Sequence, residues 1–262
     1  MDDNIRRHWR ELVQSDATWV PDPIPGWPIR GVTQGIWVTS DQSGIRGFLK
    51  PTVQATNHCA AYEKIAADIA HEIGVNVPPV VLYEREDRST SFERFVAISL
   101  VPSGHCWGFR EPPDPISDLL RASLDAALQD ACGGIALDAW LGNRNRSNPD
   151  NLLFAMEEKR PLFYIDFSNS MDAADAWSRG EFDRFQPLRV PYLLFDALRI
   201  EAADVVATRI QNLPDALISA VVRRIPDNFM PKSVRRRTVE WLLWRKDRLR
   251  EHILDWYPHQ RG

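Results

Sequence analysis

Residues 162–168 read Leu162-Phe163-Tyr164-Ile165-Asp166-Phe167-Ser168. Strand-forming apolar residues run straight into a carboxylate. A shorter apolar run ahead of them, Leu152-Leu153-Phe154-Ala155, makes a flanking strand. A carboxylate in this position stands where a buried strand meets a cleft; a cap or turn role is the lesser alternative. Its weight comes from the order of what precedes it. The polar loop Gly142–Asn151 leaves a helix just before the first apolar run. Far upstream, Ile45-Arg46-Gly47-Phe48-Leu49-Lys50 is a strand ending in a lysine, and a helix after it carries Glu63. Taken singly, Lys50 reads as a solvated strand end and Glu63 as an exposed helix residue.

The surrounding chain divides into two parts. Residues 4–14 read as an amphipathic helix with Ile5, Trp9, Leu12 and Val13 on one face. Pro21, Pro23, Pro25 and Pro28 mark a loop or a sheet edge, because proline cannot donate to a ladder. Residues 35–39 and 45–50 form a hairpin through the turn Ser40–Gly44. Residues 57–73 predict a helix, with Asn57 as N-cap, Gly74 as its stop, and the stripe Ala61, Ile65, Ile69 and Ile73. Residues 77–83 and 94–100 then read as strands. Gly104, Pro112, Pro113 and Pro115 place a boundary near 103, with a β-rich lobe over 1–103 and a helical lobe over 104–262. In the second lobe, 116–141 is one long or two short helices broken at Gly133-Gly134, and helices dominate after 190, ending with 233–254. The expected class is α+β, two-lobed.

Composition removes several functions. Ten Trp, eleven Phe and five Tyr exclude a disordered chain. A net charge of -4 argues against a general nucleic-acid binder. Cys59, Cys106 and Cys132 have no paired spacing, which suits a reducing compartment and offers no zinc framework. No apolar run reaches membrane-span length, and the start, Met1-Asp2-Asp3-Asn4, is unlike a signal peptide, so a cytoplasmic location is expected. His58, His71 and His105 show no ligand spacing, and Cys106 reads as structural. Lys232, Arg235, Arg236, Arg237, Arg245, Lys246, Arg248 and Arg250 read as a solvated helix face paired with Glu240, Asp247 and Glu251. Trp241 and Trp244 belong to its buried face.

A strand lysine, a helix glutamate, a polar loop and a carboxylate after a hairpin, in that order, match the parts needed for phosphoryl transfer. Triphosphate charge is neutralised by a cation and by a metal that takes oxygen ligands. The chain resembles the HipA-like kinases, more closely the short bacterial HipA-like kinase-domain proteins. The resemblance is carried by Gly47-Phe-Leu-Lys-Pro51, the segment Glu63–Pro79, Asp138-Ala-Trp-Leu-Gly-Asn143 with its loop, Tyr164–Ser168, Arg224-Ile-Pro-Asp-Asn-Phe229, and Val239–Leu249. It covers roughly residues 35–250. It implies a two-lobed protein-kinase-like fold of the HipA and PI3/4-kinase kind, ATP and Mg²⁺ as cofactors, and transfer to a Ser or Thr hydroxyl of a protein acceptor. It also suggests an antitoxin-like protein partner. An aminoglycoside-phosphotransferase-like reading shares the order of Lys, Asp and Asn, but the C-terminal segments point away from it.

Carried over by residue, the resemblance assigns Lys50 to the ATP phosphates and Glu63 to holding it. Asp166 would bind the metal, with Asn151 or Asn148 as second ligand; Asn151 is favoured because it immediately precedes a strand. Ser40, Gln42 and Ser43 would form the phosphate-covering turn, which has one glycine where protein kinases have three. Ser99 and Leu100 would lie at the hinge against the adenine. The chain departs from the pattern at Asn145, where an aspartate is expected before Arg146. An amide cannot accept a substrate proton, and losing a general base costs roughly 10²–10⁴-fold in rate. The open alternatives are a nucleotide-binding pseudokinase, an inactivating substitution, Asp150 as base, and nucleotidyl transfer.

Overall fold

The computed structural model describes residues 3–22, 35–50, 58–86, 94–100, 106–108, 133–143, 146, 151–155, 158–180, 200–250 and 253. A short helix α1 (Asp3–Glu11) precedes a five-stranded antiparallel sheet. Its strands are β1 (Trp19–Pro21), β2 (Ile36–Ser40), β3 (Arg46–Lys50), β4 (Val80–Glu84) and β5 (Phe95–Leu100), in the spatial order β1-β2-β3-β5-β4. Pro21 thus sits on an edge strand, where its missing N–H costs least. Between β3 and β4 runs α2 (Cys59–Ile73), which packs on β4 and β5.

A second, three-stranded antiparallel sheet is ordered β6 (Cys106–Gly108), β7 (Leu152–Ala155), β8 (Leu162–Tyr164). The helices around it are α3 (133–141), α4 (Ala173–Ser178), α5 (Ile200–Gln211), α6 (Asp215–Arg223) and α7 (Lys232–Lys246).

Two apolar clusters hold these parts. One lies under the five-stranded sheet and joins Trp9 of α1 to Val38, Leu49, Val81 and Ile98. The other runs from Ile65 and Ile69 of α2 through Leu137 and Trp140 of α3 to Trp241 and Leu242 of α7. Each fully buried aliphatic side chain in it contributes about 2 kcal/mol of burial free energy. α2 is therefore shared by both halves. Its predicted stripe is buried, and so are Glu63, Lys64 and Asp68 on its other faces. The expectation of an exposed Glu63 fails because its pairing with Lys50 covers it, whereas Lys64 and Asp68 are covered by the end of α1 and by Arg224. Gly74 ends α2 as predicted, with φ 74, its N–H donating to the carbonyl of His71 at 3.2 Å. At the other end His58, not Asn57, occupies the cap position and makes no side-chain capping bond; Asn57 lies outside the described residues.

The basic helix α7 corrects a second expectation. Arg236 pairs with Glu240 at 3.8 Å on the solvated face as predicted, and Glu251 lies outside the described residues. Arg235, Arg245 and Lys246, however, are buried. Each reaches a carbonyl where another helix ends. Arg245 Nε donates to Trp140 O at 2.8 Å and its guanidinium stacks 4.6 Å over Trp241. Lys246 donates to Leu213 O at 3.1 Å, and Arg235 to Ile225 O. Helix ends leave carbonyls without intrahelical partners and carry partial negative charge, which draws cations. Trp241 is core as expected; Trp244 is only half-buried and packs on Trp177, with ring centroids 5.8 Å apart.

Candidate functional site

Lys50 is the last residue of β3, opposite Ala97 of β5, and its side chain leaves the sheet toward α2. Its Nζ lies 3.0 Å from Glu63 Oε1 and 3.3 Å from Asp166 Oδ1. The structure thus brings together the three residues on which the sequence reading rests. The lysine side chain is 13% exposed, the glutamate 5% and the aspartate 19%, so the cluster is largely covered but not sealed.

The two acids set the charge on the lysine. Burial pushes the Lys50 ammonium toward its neutral form, but Asp166 and Glu63 outweigh it and hold its pKa above the usual lysine value. Asp166 feels the reciprocal effect. Burial raises its pKa, but Lys50, a hydrogen bond from Ser168 Oγ (2.6 Å) and Arg146 bring it down to about 2. The site therefore carries two acids around one cation.

Asp166 is held in an uncommon backbone state, with φ 64. Its surroundings explain why. Arg146 is buried immediately behind it. The Arg146 guanidinium donates to both oxygens of Asp138 (2.7 and 3.1 Å), to Ile165 O at 2.8 Å, and to Asn151 O. Its flat faces meet the rings of Tyr164 (4.9 Å) and Phe167 (5.1 Å). Asn143 Nδ2 donates to Asp138 Oδ1 at 2.9 Å and to Asp166 O at 3.3 Å. Asp138 and Asn143 at the end of α3, Arg146, Asn151 and the end of β8 are thereby tied together around Asp166. Tyr164 in turn packs against Gly134 of α3, where an added Cβ would sit 2.1 Å from the ring.

The other predicted residues fall as follows. Asn151 is buried at the start of β7, and its carbonyl also accepts from Ile165 N at 3.0 Å, so it and Asp166 stand at adjacent ends of the β7–β8 hairpin. Ser99 and Leu100 lie in β5 beside β3, opposite Phe48 and Gly47. Ser40, Gln42 and Ser43 form the turn before β3, with Ser43 N donating to Ser40 Oγ at 3.3 Å. That turn stands at the far end of the strand from Lys50, about 13 Å along it at the usual rise per residue. Asn145, Asn148 and Asp150 lie outside the described residues. Among the described residues, no cluster of three or more His, Cys, Asp or Glu could hold a metal alone.

Arg146, Asp138, Asn143 and Ser168 were given no role by the sequence, although Asp138, Asn143 and Ser168 ended segments that carried the resemblance. The signal was the charge of Asp138 inside an otherwise apolar helix, Ile135-Ala-Leu-Asp138-Ala-Trp-Leu141, which requires a buried cation.

The architecture matches a solved kinase along nearly its whole length. The crystal structure of a Helicobacter pylori proinflammatory kinase, CtkA, superposes with a TM-score of 0.61 at 13% identity, covering 95% of this chain and 98% of that one. The Drosophila melanogaster PAN3 pseudokinase is more distant, with a TM-score of 0.37 at 12% identity over 95% of this chain and 72% of that one. No protein-family model matches the sequence, and no curated protein matches it. The chain has the two-lobed, α+β, protein-kinase-like fold that its sequence predicts.

Proposed function

We propose that the protein is an ATP- and Mg²⁺-dependent phosphotransferase of the HipA-like kind, acting on a hydroxyl of a protein acceptor. The observation that carries this reading is the single lysine held between Glu63 and Asp166 on a kinase-like frame. The residues present fit the cofactors. Mg²⁺ is commonly bound through one or two carboxylates together with substrate phosphates. Asp166, kept ionised, is such a carboxylate, and Asn151 is the neighbouring amide donor. Bound there, the ion would neutralise phosphate charge. Lys50 would bind phosphate oxygens while Glu63 keeps its direction, and the buried Arg146 brace fixes Asp166. An antitoxin-like protein partner belongs to the same reading.

A second reading is a nucleotide-binding pseudokinase that acts through a protein partner. It is favoured by Asn145 and by one structural fact: Asp138, the carboxylate before the loop, is fully buried and bonded through both oxygens to Arg146. It cannot stand in as the base. The test is label transfer from ATP carrying label on the γ- or on the α-phosphate, with Mg²⁺. The protein is compared with its Lys50→Ala, Asp166→Ala and Asn145→Asp variants. Transfer of γ-label that both alanine variants abolish supports the phosphotransferase. Transfer of α-label alone means nucleotidyl transfer. Nucleotide binding without transfer in any form supports the pseudokinase. Transfer unaffected by both alanine substitutions overturns the site.

A further inference from the structure

Lys64 follows Glu63 on α2, about 100° around the helix axis. Where Glu63 points to Lys50, Lys64 points to the end of α1 and is 0% exposed. Its ammonium donates to Trp9 O at 3.3 Å and Arg10 O at 3.2 Å, in the last turn of α1, and to Asp68 Oδ1 at 3.0 Å. Arg224, just past α6, donates to the same Arg10 carbonyl at 3.0 Å and to the other oxygen of Asp68. The carbonyl end of α1 is thus held by two cations that share Asp68, one on each of its oxygens. Burial is costly for such an ammonium: with Arg224 and Arg10 also repelling it, the Lys64 pKa falls to about 8 despite Asp68. An apolar side chain would fill this space at less cost. What the lysine adds is geometry. α1 is itself anchored, through Trp9 in the sheet core and through Val13 O and Ser15 N, which bond Leu82 of β4.

We propose that Lys64 is a positioning residue: it ties α2 to the carbonyl end of α1 and so sets the rotation of α2 that keeps Glu63 on Lys50. The seating of α1 then controls phosphate binding at a site on a different face of α2. This rests on the reading of Lys50 and Glu63 as phosphate-binding machinery, and the test separates the two. In the full chain, the rate at which an amine-acylating reagent labels Lys50 is read by mass spectrometry, with the exposed Lys159 and Lys232 as internal references. Affinity for a fluorescent ATP analogue with Mg²⁺ is measured in parallel, well below the unfolding midpoint of each variant.

Lys64→Met removes the ammonium and keeps the stem. It is expected to speed Lys50 labelling and to weaken nucleotide binding, each about tenfold, the size of an ordinary coupling between neighbouring residues. Added to Glu63→Gln, it should change little further. Arg224→Gln, at a surface position that leaves the core intact, should act in the same direction and more weakly, and it decides the matter if Lys64→Met does not fold. A lower melting point with unchanged Lys50 labelling and unchanged nucleotide affinity would make Lys64 a packing residue and overturn the proposal, as would full additivity with Glu63→Gln. A parent protein that binds no nucleotide removes the phosphotransferase reading, and Lys50 labelling then decides the role of Lys64 by itself.

Discussion

Two cations, one buried and one partly buried, stand beside Asp166, and they are built on opposite plans. Arg146 is closed. It is 2% exposed, both oxygens of its acid are engaged, two further carbonyls accept from it, and rings cover its faces. Lys50 is open. It is 13% exposed and faces two acids instead of one. A guanidinium with its planar fork suits a fixed joint, and a flexible ammonium suits a cation that must exchange partners. The difference teaches where stability and function separate in this lobe junction. The closed cation holds the frame, and the open one is the cation that the proposed function assigns to phosphate.

The most severe way to break the comparison is Arg146→Met. It leaves Asp138 buried without a counter-charge and removes a donor from the Asn151 and Ile165 carbonyls, and should cost about 3–5 kcal/mol in urea unfolding. Pairing it with Asp138→Leu should recover much of that loss, which would show the penalty to be the orphaned charge. Next comes Gly134→Ala. Its new methyl group meets the Tyr164 ring behind Arg146, and overpacking of this kind costs about 1–3 kcal/mol by the same measurement.

The open cation is probed by acid. The Asp166 pKa is depressed to about 2, against about 3.9 for an unfolded aspartate. A depressed carboxylate adds stability above its unfolded pKa and loses it as pH falls through the folded one. Asp166 should therefore contribute about 2 kcal/mol above pH 4, fading as pH drops toward 2. Urea midpoints along a pH series check this, and the dependence should flatten in Lys50→Met. Smallest of all is Arg236→Ala on the solvated face of α7, which should change stability by less than about 0.5 kcal/mol. A large effect there would contradict the view that burial separates these ion pairs.

The legible parts of the molecule were those written locally. The strand ending at Lys50, the stripe of α2 and the apolar run into Asp166 depend on residues a few positions apart. The opaque parts depend on distant chain. Asp68 and Lys64 look like solvent-facing helix residues until Arg224 and Trp9 arrive, 156 and 55 positions away. Arg235, Arg245 and Lys246 look like a charged face because nothing in α7 announces that other helices end against it. Arg146 was visible as a motif letter, but its task appears only when the hairpin folds back over it. The two-lobed class was legible from the order of elements.

Asn76 ties the stretch after α2 to the second sheet. Its amide donates to Arg160 O and to Leu162 O, each at 2.8 Å, and its own carbonyl accepts from Tyr164 N at 2.9 Å. The seam joins positions 86 apart in sequence. Closing so long a loop is slow compared with forming helices and hairpins. During synthesis, the first sheet and α2 leave the ribosome well before β8 exists to receive them. Until then Lys50 has Glu63 but not Asp166. A nascent chain stalled before residue 160 should therefore hold half of the Lys50 cluster, and if the proposed function holds, nucleotide binding should appear as a late step in the birth of the protein.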